Sequence, residues 1–398
     1  MAASRSRRLL PPTLPDLVML TYTLAAQAIS PFVPLYAQHL GMDNRSVGLL
    51  LAFPGFGALL ASLAASAWLA RFGARRLILG ASLAAALALL AVWAWPSVVA
   101  FGLFISVFWA VQPLVAIAVQ VLVISRSAAV GRDRAVGMHS FYMSLGVSAG
   151  PLFGSAVVAA TSSISPVFLA AGVVSGAAAA LTLWTADEGR APAVRTPPFF
   201  AGLRAVPVTV RLSVYLVMVA EFCYVGWVTF FPLALKGAGR TPEAIGLVFA
   251  LYGVAISVVR TAMAWLVHRL GRLGVLVAAF AFLAAGLWLS LFTASLPATL
   301  SAAVLLGLGG LVFPMTIVLV SAPTAPDQLG RLLAVRFLAI TVGQMLGPAL
   351  TGLLAGYNVL AALVGVAVLA SATTVWVAWV RGLLGDTFLD TPKSAMLR

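Results

Sequence analysis

The chain has 398 residues, of which 62% are hydrophobic and only 9% charged, with a formal net charge of +14. So few charges cannot coat the core of a water-soluble protein of this length, which excludes a soluble globular fold. The single cysteine, Cys223, excludes an intrachain disulfide framework and a thiolate metal cluster.

A helix that crosses a bilayer needs about 20 apolar residues. Twelve stretches meet that length: 15–38, 46–70, 76–95, 98–124, 135–160, 164–186, 210–235, 243–267, 272–293, 297–320, 331–355 and 358–380. Helices are the expected form, because each satisfies its own backbone hydrogen bonds in lipid.

The first span follows an Arg-rich start and is expected to be retained rather than cleaved as a signal peptide. Asp16 comes directly after Pro15, where an acid complements the dipole of a starting helix. Thr23, Gln27 and Ser30 continue from Asp16 at helical spacing, so a polar stripe runs along one face. Thr23 and Gln27 are expected to line a cavity, against the alternative of plain interhelical hydrogen bonds. Span four offers Trp109 and Gln112, and span seven offers Tyr224 and Trp227. Aromatic rings with a few polar tips suit an amphiphilic ligand, although ordinary packing or an interfacial belt is the better reading of any one of them.

Near the start of span five, His139 is a candidate pH-sensitive group. Gly146, Gly150 and Pro151 follow, allowing close helix approach or a bend. The polar segment 187–209 is rich in Pro, Gly and Arg and is expected to be a linker. It would separate an N-terminal six-helix bundle (1–186) from a C-terminal one (210–398) that ends in a short tail.

Glu221 lies near the middle of span seven, where a charge costs about 2.5–3.5 kcal/mol on insertion scales. Two readings stand. Glu221 is a protonatable site facing a cavity, or it is a structural counter-ion of Arg260, which falls at similar depth in span eight. Arg336 in span eleven is a candidate gate residue with Asp16 as one possible partner; snorkelling to the interface is the plainer reading.

Charge placement gives the orientation. Arg5, Arg7 and Arg8 precede span one, and Arg71, Arg75 and Arg76 follow span two. Arg126, Arg132 and Arg134 follow span four, Arg190, Arg195, Arg204 and Arg211 follow span six, and Arg269 and Arg272 follow span eight. The opposite face carries Arg45, Lys236 and Arg240. The asymmetry predicts cytoplasmic termini in a multi-pass protein of the cell (inner) membrane. It also argues that the positive charge serves topology rather than nucleic-acid binding.

The halves repeat. Gly48, Leu49, Ala52 and Gly55 recur as Gly246, Leu247, Ala250 and Gly253, displaced by 198 residues. Gly146, Gly150 and Pro151 recur as Gly343, Gly347 and Pro348, displaced by 197. His139 and Arg336 occupy matching positions in that second register. Repeated apolar halves are the mark of transporters with a site between them.

These residues resemble the major facilitator superfamily over nearly the whole chain. The segment WLARFGARR (68–76) is similar to the family's loop motif through Arg71, Gly73 and Arg75, with Ala70 in the acidic position. WLVHRLGRL (265–273) repeats it through Arg269, Gly271 and Arg272, with His268 in the acidic position. GVSAGPLFG (146–154) resembles a motif of the drug:proton antiporter branch, as does PFVP (31–34) followed by Val47-Gly48. Trp109 stands where relatives often carry an Arg implicated in proton coupling, while Gln112 is kept.

The resemblance implies twelve transmembrane helices in two pseudo-symmetric six-helix bundles. It implies a membrane transporter that works by alternating access, functional as a monomer and with a small-molecule substrate. It further implies proton-coupled efflux of drug-like or amphiphilic molecules, multidrug antiport in character; Glu221, singled out above by its place in span seven, would then be the coupling group. Arg71, Gly73, Arg269 and Gly271, together with Gly146, Gly150 and Pro151, would then act in conformational switching. The alternative is a facilitator or symporter for a small polar or anionic metabolite, with Arg260 and Arg336 as anion contacts. A third reading is a receptor that binds without transporting. No cofactor beyond the proton and no resident metal is expected. An enzyme is not expected either, since phosphate loops, nucleophile triads and metal-ligand clusters are absent from the sequence.

Overall fold

Thr13 starts the first helix. Its backbone N–H and its hydroxyl both donate to the Asp16 carboxylate, at 3.0 and 2.6 Å, closing a capping box one turn into the helix. In the computed structural model, which describes residues 13–125, 132–185, 208–321 and 326–384, fourteen helices follow one another. They are α1 (Leu14–Ile29), α2 (Val33–His39), α3 (Asn44–Phe72), α4 (Ala74–Ala94), α5 (Val98–Ser125), α6 (Arg132–Thr161), α7 (Ser165–Leu183), α8 (Val208–Gly237), α9 (Pro242–Thr261), α10 (Met263–Leu289), α11 (Leu296–Gly309), α12 (Val312–Ser321), α13 (Pro326–Ala355) and α14 (Val359–Leu384). The expected linker 187–209 lies almost wholly outside the described residues, as do Arg5, Arg7, Arg8, Arg126, Arg190, Arg195, Arg204 and the tail after residue 384.

Among the described residues eleven helices or helix pairs are long and apolar enough to cross a membrane, and the bent pair α1–α2 makes a twelfth. Span one is therefore not one straight helix. It bends by 40° between Ile29 and Val33, where Pro31 and Pro34 each remove a backbone donor. Span ten is also interrupted, at Gly310–Leu311 between α11 and α12.

Gly73 and Gly271, the glycines of the two loop motifs, sit at φ 78° and 70°. That left-handed backbone turns span two into span three, and span eight into span nine, without a β-carbon clash. Arg71 and Arg269 lie beside them on the surface, each over an aromatic ring: Phe72 at 5.3 Å and Trp265 at 5.9 Å.

Each half packs around its first long helix. α1 lies against α5, α6 and α7, and α8 lies against α12, α13 and α14. The repeated glycines of spans five and eleven make these contacts close. A β-carbon on Gly146 would lie 2.9 Å from Leu20 O and Thr23 Cβ, and one on Gly343 would lie 2.6 Å from Met218 O and 3.0 Å from Glu221 Cβ. Gly150 packs on Leu24 and Gln27 of α1 in the same way. The sequence left open a hinge, a seal or plain close packing for Gly146 and Gly150; here they form the floor of a helix pair within one bundle.

The two halves meet through α3 against α13 and α6 against α9. The pair Gly48 and Gly246 marks this seam. A β-carbon on Gly48 would strike Pro348 O and come within 2.6 Å of Gly352 Cα. One on Gly246 would strike Ser155 Oγ and come within 2.7 Å of Pro151 O. Residues 151 and 155 become 348 and 352 on adding 197, so the two contacts are related by the internal repeat. Both lie toward the face opposite the start of α1, hereafter the far face. There Asn44 Nδ2 donates to Ala355 O at 3.0 Å, Gln38 Nε2 donates to Asn44 Oδ1 at 2.8 Å, and the Arg45 guanidinium stands 4.9 Å from the Tyr357 ring. Arg240 ties two far-face loops of the second bundle together, donating to Thr293 O and Ala294 O.

Candidate functional site

Beneath the far-face seam a cavity of about 390 Å³ lies between the bundles. The first bundle lends Gln27 and Ser30 from the end of α1, Pro54 and Gly55 from α3, and Trp109 and Gln112 from α5. The second lends Glu221, Tyr224 and Thr229 from α8, and Phe337, Ile340 and Gln344 from α13. Its size falls within the range of small-molecule sites, and its make-up has their usual form: mostly apolar walls with a few polar groups.

Among the described residues that line the cavity, Glu221 is the only formally charged one. Its residue is 6% exposed, and Gln344 Nε2 donates to its Oε1 at 2.7 Å. Gln344 is the residue that sequence reasoning missed. Its signal was a lone amide directly after Gly343, inside a repeat motif whose other copy has Val147 at that place.

The structure separates the remaining candidates. Gln27, Trp109, Gln112 and Tyr224 come together on the cavity wall. Thr23 does not: it is 7% exposed, packed beneath Gly146, with its hydroxyl unpartnered. It lies one helical turn before Gln27, toward the terminal face, and is covered by α6. Trp227 does not line the cavity either. It is fully buried, stacked on Phe249 at 4.9 Å and Phe231 at 5.1 Å, and its indole donates to Ser290 Oγ at 3.0 Å. That environment makes it a core residue. Trp227→Ala should cost about 3–5 kcal/mol, read as a large fall in Tm of the purified protein in detergent.

Arg260 is absent from the cavity wall, and among the described residues it forms no ion pair with Glu221. Equal depth does not bring the two together, because Glu221 is turned toward α13. Arg260 stands near the tyrosine pair Tyr224 and Tyr252, whose rings stack at 5.4 Å, and its Nε is buried without a partner. Arg336 also differs from expectation. Its Nε and Nη2 donate to Thr316 Oγ1 at 3.0 and 2.9 Å, and Nη2 donates to Phe313 O at 2.8 Å. It thus clamps α12 to α13, and does not meet Asp16. Asp16 instead faces His139 Nδ1 at 3.3 Å, joining α1 to α6 in a buried pair. Among the described residues no group of three or more His, Cys, Asp or Glu could hold a metal ion.

A profile described as Major Facilitator Superfamily matches residues 16–240 and 228–394. An uncharacterized MFS-type transporter of Yersinia pestis is 26% identical over 291 residues, covering 72% of this chain and 73% of that protein. Among solved structures, a mutant of the nucleoside transporter NupG superposes with a TM-score of 0.77 at 12% identity, covering 94% of this chain and 98% of the other. A bacterial homolog of the human lysosomal transporter Spinster, inward-facing and unoccupied, gives 0.72 at 13% identity, with 94% and 96% covered. The human organic anion transporter MFSD10 gives 0.66 at 16%, with 92% and 100% covered.

Proposed function

Since the chain belongs to the major facilitator superfamily of secondary transporters, we propose that it exchanges protons for a small amphiphilic molecule, and that Glu221 is where the two compete. One observation carries this reading: among the described residues the cavity between the bundles holds a single formally charged side chain, and that side chain is a protonatable carboxylate. Around it stand an indole, a phenol and amides, groups that accept a ring or a cationic head. Arg260, with its unpartnered Nε, favours the second reading, a carrier of a small polar or anionic metabolite. It weighs less, because Arg260 stands outside the cavity wall.

The cycle follows from the seam. Contacts between the bundles seal the far face, so this conformation would open toward the face where α1 begins. With cytoplasmic termini, as the arginine distribution suggests, that is the inward-facing state of a cell-membrane exporter acting as a monomer. Rocking the bundles would break the far-face contacts and expose the same cavity outside.

The test is substrate movement in proteoliposomes with and without an imposed pH gradient, over lipophilic cations, neutral amphiphiles and small organic anions. Gradient-driven accumulation of a cation or neutral amphiphile is expected. Anion flux indifferent to the gradient would support the second reading, and no flux across the panel would support a receptor.

A further inference from the structure

Residues 343–345 of α13 touch the two things that the proposed cycle must connect, Glu221 and the other bundle. Gly343 packs on Glu221: a β-carbon there would be 3.0 Å from Glu221 Cβ and 3.1 Å from Phe222 N. Gln344 donates to the Glu221 carboxylate. Met345 faces the other bundle, where a β-carbon on Gly55 would lie 2.6 Å from Met345 Cγ, 3.3 Å from Met345 N and 3.5 Å from Gln344 C. One turn of helix is thus held between the carboxylate on one side and the seam on the other.

The internal repeat supplies a comparison within the same molecule. Gly146 packs on Thr23 Cβ at 2.9 Å and Leu24 N at 3.0 Å, as Gly343 packs on Glu221 and Phe222. Gly253 packs on Ser148 Cα at 2.8 Å and Val147 O at 2.9 Å, as Gly55 packs on Met345 and Gln344. The backbone arrangement is therefore present twice. In the first copy the side chains are Thr23 and Val147, and in the second they are Glu221 and Gln344. The fold does not need a half-buried amide and a buried carboxylate at this place, since the other half is built without them. Burying the carboxylate within a membrane span is costly and marks function.

We infer that Gln344 is a positioning residue that links the seam to Glu221. With the seam closed, Gly55 backs the α13 turn and the Gln344 amide is directed onto the carboxylate. When the bundles rock and Gly55 withdraws, that backing is lost and the hydrogen bond to the ionised form with it. Protonation of Glu221 and opening of the far face are then one coupled event. The proposal rests on the reading of Glu221 given above. The other titratable or charged groups that act on Glu221 are Tyr224 on α8, Tyr252 on α9 and Arg336 on α13, and Arg260 on α9 acts on the two tyrosines. On α12 and α14 the described residues nearest this cluster carry no titratable side chain: Phe313 and Thr316 contact Arg336, and Val366 contacts Cys223.

The test is a distance measurement across the seam. Ser163 and Ala238 are exposed, at the far-face ends of α6 and of α8, next to the α6–α9 contact. Spin labels on Ser163→Cys and Ala238→Cys report closure in the full-length protein. In this background the closed-to-open ratio should follow pH, and Glu221→Gln should remove that response. Gln344→Met keeps the bulk and deletes the donor. It should make the pH-driven swing about tenfold smaller, the worth of one charge-assisted hydrogen bond of about 1.4 kcal/mol. Its Tm should stay near wild type. Should it fail to fold, Gln344→Asn, which retracts the amide, should give the same loss. A wild-type pH profile in either folded variant, with Glu221→Gln still flat, overturns the role of Gln344 alone. A response that survives Glu221→Gln overturns the reading of Glu221 as well.

Discussion

Glu221→Gln should abolish proton-driven accumulation while leaving downhill exchange of the same substrate intact. Among the described residues the carboxylate is the only formally charged group on the cavity wall, and its hydrogen-bonding neighbour Gln344 has no proton to give or take at ordinary pH. If one proton exchanges for one substrate, a gradient of one pH unit sustains at most about a tenfold substrate gradient, since 1.4 kcal/mol corresponds to a factor of ten. In the variant that ratio should fall to about 1. Glutamine keeps the size and hydrogen-bonding capacity of the protonated acid, so the cavity should persist and bidirectional exchange should continue. The measurement is steady-state accumulation in proteoliposomes beside counterflow of labelled substrate. Loss of both signals would mean that Glu221 serves folding or binding alone.

The second large effect is expected at the seam. Gly48→Val places a β-carbon against Pro348 O and Gly352 Cα, both backbone atoms that cannot rotate away. Overpacking costs about 1–3 kcal/mol or more, which disfavours the closed far face by about 5- to 150-fold. Transport should fall accordingly, and labels across the seam should report the open state. Gly246→Val should do the same, because its contacts with Pro151 and Ser155 are the repeat equivalents. Neither should unfold the bundles, whose internal contacts are elsewhere. Gly80→Ala, with open space around the added carbon, is the control and should behave as wild type.

Much of this architecture was legible in the residues. Twelve apolar stretches and an offset of half the chain were enough for two related bundles, because lipid allows few alternatives to helices. The glycines that displayed the repeat, Gly48 and Gly246, turned out to be the seam itself. Close approach of two backbones tolerates no side chain, so the same residue type was kept in both halves. The bend after Ile29 was signalled by Pro31 and Pro34 but absorbed into one long span, since apolarity alone does not register a 40° change of axis.

The site was legible only in part, because depth along a helix is encoded more plainly than direction around it. Tyr224 and Trp227 are three residues apart, yet one faces the cavity and the other an aromatic core. Thr23 and Gln27 share a stripe, but only Gln27 reaches the cavity wall. Glu221 and Arg260 match in depth and do not pair. The partner of Glu221 is 123 residues away on α13, and no local pattern indicates an amide at such a distance. Asp16 met His139 rather than Arg336 for the same reason: α1 packs on α6 of its own bundle.

The most direct measurement is proton release from the purified protein in weakly buffered detergent as lipophilic cations and neutral amphiphiles are added, with Glu221→Gln alongside. Competition at one carboxylate predicts that a bound ligand expels protons from the wild type and none from the variant. Ligand binding without a proton signal, or equal release from both proteins, would contradict it.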